Sequence, residues 1–147
     1  MVQITNSIDI QAPAARVYAA LRALDAYPAW LRHSAVYRGT RAPAGPPAAG
    51  VAYVDSTTVG RMRGELLEDV PGRSLRFHQA KPSGTLDALI RYDLAATADG
   101  GGTRVTRVGD LTTRGMLRAA QPVLVRMAAA ESRRTMTALK RHVEAGR

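Results

Sequence analysis

The residue of this chain best placed to do chemistry by position alone is Glu131. It falls near the middle of the apolar side of a stretch, from about Gly115 to Arg147, in which Leu117, Ala120, Leu124, Met127, Ala128, Ala138 and Leu139 share one face at helical spacing. Arg118, Arg126, Arg133, Lys140 and Glu144 take the other face. A carboxylate is costly to bury without a partner, and two partners are open to it. As a cavity-wall residue it would accept from, or exchange a proton with, a ligand hydroxyl or carbonyl. As a structural residue it would pair with an inward arginine such as Arg107, whose strand alternation contains Val105 and Leu111.

Two tyrosines and an aspartate could work beside it. In the segment from Thr85, Leu86, Ala88, Ile90, Tyr92 and Leu94 form an apolar face that offers the Tyr92 hydroxyl to a ligand or to the core. Tyr53 and Asp55 share a face with Val51 and Thr57. That face is inward in one register and solvated in the other, which instead buries Ala52 and Val54; the alternation leaves both open. Trp30 is expected as an anchor near a cavity mouth or as packing for a short helix. Met62, Leu66, Leu75, Phe77 and Met127 read as cavity lining or plain core, methionine suiting an adaptable pocket.

Other chemistry finds no support. His33 reads as a loop residue, His78 as exposed beside Phe77, and His142 as a helix-end residue facing the dipole. No histidine pair has metal-ligand spacing, so no metal is expected. There is no nucleophile elbow. Gly100-Gly101-Gly102 leads into a strand rather than a helix, so no nucleotide cofactor is implied.

The elements that must position these residues follow from periodicity. Val2, Ile4, Ile8 and Ile10 alternate with polar residues as a half-buried strand, with Asn6 at an inward position. Pro13 opens a helix carrying Val17, Ala20, Leu21 and Leu24, and Asp25 is expected to cap a second short helix through Trp30 and Leu31. Strands are expected near 35–39, 51–58, 61–70, 74–80, 85–96 and 103–113, with Pro71-Gly72, Pro82-Ser83-Gly84 and 99–102 as turns. Residues 41–50 form a proline-stiffened loop. The final helix, about 45 Å long for about thirty residues, could cross a whole small domain, with Pro122 kinking it or starting its main segment. Strands grouped together and helices kept apart indicate an α+β domain with an antiparallel sheet.

The 147 residues fit a single domain with a real core. The chain has no cysteine, which excludes disulfides and thiolate metal sites. No secretory signal and no membrane-spanning run are recognisable, so a cytoplasmic location and no stable membrane insertion are expected. The net charge of +9 raises nucleic-acid binding, but the arginines are scattered from Arg16 to Arg147 and only Lys81 and Lys140 are lysines, in a chain also rich in Ala, Gly and Pro. A coding bias accounts for that pattern, and no nucleic-acid partner is expected.

In order along the chain stand Ala12-Pro13-Ala14-Ala15-Arg16-Val17-Tyr18, Tyr27-Pro28-x-Trp30, Gly64-Glu65-Leu66, Pro71-Gly72-Arg73-x-Leu75-x-Phe77, Gly102-Thr103-Arg104-Val105 and a closing 138–144 segment. Together they resemble the helix-grip superfamily of START-like (SRPBCC) domains, which includes the birch-pollen-allergen fold and the polyketide cyclase/dehydrase-like proteins. The resemblance covers the whole chain and implies a curved seven-stranded antiparallel sheet around a long C-terminal helix, enclosing an apolar cavity. It implies a small hydrophobic partner (lipid, polyketide or aromatic), bound by a monomer or homodimer. It transfers no catalytic set. Glu131, Tyr92, Tyr53, Asp55, Met127, Trp30, Phe77 and Arg107 are the ligand-binding candidates. The first expectation is binding or transport of a small hydrophobic molecule. The alternatives are an aromatase/cyclase using cavity acid/base groups, and an interaction module without a ligand.

Overall fold

The computed structural model describes residues 1–45 and 48–146. Pro46 and Pro47 of the proline loop, and the final Arg147, lie outside the described residues. The elements in order are β1 (Val2–Ile10), α1 (Ala14–Arg22), a 3-10 helix (Leu24–Ala29), β2 (Tyr37–Arg41), β3 (Ala52–Thr57) and β4 (Gly60–Val70). Then come β5 (Ser74–Ala80), β6 (Leu86–Ala96), β7 (Thr103–Thr113), a second 3-10 helix (Gly115–Arg118) and α2 (Gln121–Ala145). The seven strands form one antiparallel sheet in the order β1-β7-β6-β5-β4-β3-β2. This is the helix-grip fold.

The alternation of apolar residues sets which face is concave. Ile8 pairs with Val105, Leu75 with Tyr92, Phe77 with Ile90 and Leu66 with Phe77, so one face collects these side chains against the helices. Hairpin turns close the strands; Gly72, at φ +72°, takes the left-handed conformation that the β4–β5 turn requires. Irregular pairing between Leu66 and Glu68, and between Tyr37 and Thr40, marks bulges that bend the sheet.

Two details depart from the sequence expectations. Asp25 makes no capping bond: the first 3-10 helix starts at Leu24 with Ala23 in the cap position. The long helix does not begin at Gly115. A separate 3-10 turn precedes it, and Pro122 sits at the start of α2, where its missing N–H has no intrahelical partner to lose. On α2 the buried residues are Leu124, Ser132, Met136, Leu139 and Val143. The centre of the buried face therefore lies about 100° round from Glu131, which stands at its edge. Ser132 is tolerated in the middle because its hydroxyl donates to the Asn6 side chain, at the inward position β1 offers.

Candidate functional site

Between the concave sheet and the N-terminal half of α2 lies a cavity of about 220 Å³. Leu124, Met127 and Ala128 of α2 form one wall, and Met62, Phe77, Ile90 and Leu111 the sheet opposite. Leu24, Tyr27, Leu31 and Val36, from the segment between α1 and β2, and Tyr37 at the start of β2 close it. The lining is mainly apolar, so water inside it finds few partners. Seven of the sequence candidates, Glu131, Tyr92, Tyr53, Asp55, Met127, Phe77 and Arg107, line this space.

One set of polar groups in the lining is linked by hydrogen bonds across β2, β3 and β5. Cross-strand pairing places Tyr53 opposite Gly64, and Gly64 opposite Gln79, while Asp55 stands opposite Met62. The register left open by the sequence is therefore the one that turns Tyr53 and Asp55 inward. Asp55 Oδ1 accepts from the Thr40 hydroxyl at 2.6 Å, and Oδ2 accepts from Gln79 Nε2 at 2.8 Å. The same amide nitrogen donates its other hydrogen to the Tyr53 hydroxyl at 2.8 Å. Because Thr40 spends its hydrogen on Asp55, Tyr37 is the donor in the Tyr37–Thr40 hydroxyl pair. A relay Tyr37→Thr40→Asp55 results. Tyr37, Thr40 and Gln79 were not singled out from the sequence. The alternation of Leu75, Phe77 and Gln79 did carry the signal for Gln79.

This environment changes the acid. Burial pushes the Asp55 carboxyl up to about 6, with the bonds from Thr40 and Gln79 opposing the shift. Burial also raises the Tyr53 phenol, with the nearby Asp55 charge adding to it, and lifts Tyr37 to about 12. Both phenols thus stay protonated and keep a hydrogen to donate. The Tyr53 hydroxyl accepts from Gln79, and its own hydrogen has no acceptor among the described residues. The same holds for Tyr92, whose hydroxyl accepts from Arg107 Nε at 3.1 Å. The cavity therefore offers two uncommitted phenolic hydrogens and a carboxylate with spare lone pairs.

Aromatic packing fixes these groups. Phe77 stands edge-on to both Tyr53 and Tyr92, each ring centroid 6.1 Å away. The Tyr53 ring lies directly over Gly64, where a β-carbon would overlap it. Glycine is needed there for space, not for backbone conformation.

Glu131 is placed differently from the expectation. Its side chain is 23% exposed, and its ion-pair partner is Arg134 on the same helix, at 2.8 Å, not Arg107. Its other oxygen accepts from Ser34 at 2.9 Å, and Arg134 also donates to the Arg32 carbonyl at 2.8 Å. Together these bonds tie the segment after the first 3-10 helix onto α2. Trp30 does not line the cavity. It is buried between Tyr27 and His142, stacked on the latter with centroids 5.9 Å apart, and so packs the short helix onto α2. His78 pairs with Asp87 at 2.9 Å, and His33 meets the Tyr37 ring edge-on. Among the described residues no three His, Asp or Glu side chains converge as a metal site, and no helix is long and apolar enough to cross a membrane.

No curated protein matches the sequence. Among solved structures, TTHA0849 from Thermus thermophilus is similar with a TM-score of 0.76 at 17% identity, covering 99% of each chain. Ara h 8.0201 gives 0.69 at 12% identity over 98% of each chain. The Aha1 dimer from Colwellia psychrerythraea gives 0.69 at 17% identity, covering 100% of this chain and 99% of that one. These likenesses are of fold. The family model described as polyketide cyclase / dehydrase and lipid transport matches residues 1–144, and the chain belongs to that family.

Proposed function

We propose that the protein binds a compact hydrophobic molecule carrying a hydroxyl or carbonyl, with that polar group held at the Asp55–Tyr53 end of the cavity. One observation carries this reading: a mainly apolar cavity lined by a half-buried carboxylate with raised affinity for its proton, flanked by phenolic hydrogens without acceptors among the described residues. Ligand pockets have this character, an apolar body with a few convergent polar groups. The volume of about 220 Å³ lies above the roughly 150 Å³ cavity that takes up benzene and below the roughly 300 Å³ at which pockets for drug-sized ligands begin. One or two fused rings suit it better than a long acyl chain. A ligand-free interaction module calls for a filled interior, and the cavity weighs against it.

The test compares naphthalene with 2-naphthol by calorimetric titration. The naphthol is expected to bind about tenfold tighter, as a hydrogen bond to a charged group allows. Asp55→Asn and Tyr53→Phe should each shrink that preference. Equal affinities would remove the polar-end reading, and no binding of either probe would remove the cavity reading.

The cyclase reading is favoured by a separate observation. A carboxyl at about 6, fed by the Tyr37–Thr40 relay, suits a general base that takes a proton from a carbon beside a ketone while Tyr53 or Tyr92 donates to the carbonyl oxygen. Exchange of the α-hydrogens of 2-tetralone into deuterated water, abolished by Asp55→Asn, would establish it. Exchange at the buffer rate would dismiss it.

A further inference from the structure

The face of α2 turned away from the sheet has no assigned role. Val123, Arg126, Ala130, Arg133, Thr137 and Arg141 follow one another along it at helical spacing, and all are exposed. The stripe is about 27 Å long. Between Leu111 and Val143 the only carboxylate is Glu131, and it is already bound to Arg134. Arg126, Arg133 and Arg141 make no ion pair with any described residue.

Each end of the stripe adds something. At its start, Met116 is 92% exposed and Val123 61% exposed, close to Arg114 and Arg118, which are themselves exposed. Solvent-facing methionine and valine stand here among cations that make no ion pair with any described residue. At its far end, α2 and the first 3-10 helix frame an open groove of about 530 Å³. Arg32, Arg133, Arg134, Arg141 and His142 line it, without any acid.

A basic helix face with apolar side chains at one end is the arrangement of a helix lying in a membrane interface. The cations attract anionic headgroups, and the apolar tips enter the headgroup–acyl boundary. Nucleic acid fits less well: the apolar tips have no use on a phosphate backbone, and the nearby Trp30 is buried and stacked, so it offers no face to a base. We propose that the second 3-10 helix and the outer face of α2, from Met116 to Arg141, dock the protein reversibly onto an anionic lipid surface. The opposite face of the same helix walls the cavity, so docking brings the cavity to the membrane. The proposal stands whether or not the cavity holds the ligand inferred above.

Co-sedimentation of the full chain with phosphatidylcholine vesicles, with and without phosphatidylglycerol, tests it. Binding is expected only with phosphatidylglycerol and should weaken with salt. Arg133→Gln combined with Arg141→Gln should lower the partition coefficient about 30-fold. Arg61→Gln with Arg63→Gln, an equal change of charge on the sheet, should lower it less than about threefold. Met116→Ser with Val123→Ser should lower it about tenfold while keeping every cation. Equal binding to neutral vesicles, equal loss in both arginine pairs, or retention of the chain by duplex DNA but not by vesicles would each overturn the proposal.

Discussion

The space under α2 has two halves, built from the same sheet and the same helix and filled in opposite ways. Beneath its C-terminal half, α1 packs against α2, β5 and β6, and Ile10, Val17, Leu21, Leu75, Val105 and Leu139 are almost wholly excluded from solvent. Beneath its N-terminal half no second α-helix enters among the described residues, and only Leu24 and Tyr27 of the first 3-10 helix reach the space. The residues meeting there include Ala88, Gly109 and Ala128, whose small side chains leave the space between them open. The contrast shows how the fold divides its labour: one helix inserted at one end supplies the cohesion, and leaving it out at the other supplies the container. The linked polar groups Tyr37, Thr40, Asp55 and Gln79 all stand on the hollow side.

Damage to the packed half should therefore cost stability and leave the proposed binding alone. Leu139→Ala is expected to destabilise by about 3 kcal/mol, as for a leucine truncated in a full core. Chemical denaturation should show that loss while the affinity for 2-naphthol stays unchanged; a large loss of affinity would join the two halves into one unit. The boundary can then be probed from the hollow side. Gly64→Ala drives a methyl group into the Tyr53 ring and should cost about 2 kcal/mol. Adding Tyr53→Val should recover most of the stability but not the naphthol preference, a non-additive result that independent sites would not give.

Asp55 sharpens the contrast through pH. Its carboxyl titrates at about 6 in the folded protein against an ordinary 3.8. The folded state therefore keeps a proton that the unfolded chain releases, and stability falls as pH rises between about 4 and 6. Asp55→Asn should remove that slope and leave the protein about 1–2 kcal/mol more stable at about pH 8, the lost carboxylate bond from Gln79 offsetting part of the gain. Thermal melts across this range would show it, and an unchanged slope would place the titration elsewhere. The smallest effect is expected at Glu131. Its pair with Arg134 is partly exposed, so Glu131→Gln should cost less than about 1 kcal/mol by denaturant titration. A larger loss would make that tie part of the packed half.

Much of this fold was readable in the sequence because period-two alternation is strong where one face of a strand is buried. The bounds of β5 and β7 coincide with the expected 74–80 and 103–113. The site was readable only in part. Tyr53–Asp55 and Ala52–Val54 are both plausible inward sets, and what decides between them is the glycine opposite Tyr53, which leaves room for a ring. A cross-strand partner is not visible along a single strand. Glu131 was placed too centrally because α2 is rich in alanine, which marks a helix face weakly. The true centre includes Ser132, a residue that looks polar until Asn6 is brought against it. Of the two jobs open to Trp30, packing the short helix is the one observed, but its stacking partner, His142, lies far away in sequence and could not be read from it.

The hollow half also has a thermodynamic consequence. A ligand held there as proposed would bind the folded state and not the unfolded chain, so the melting temperature would become a gauge of occupancy. A ligand at a hundred times its dissociation constant would add about 2.7 kcal/mol. Under the proposed binding role, protein taken gently from its source is expected to melt at a higher temperature than the same protein after exhaustive dialysis, and equal melting temperatures would count against that role.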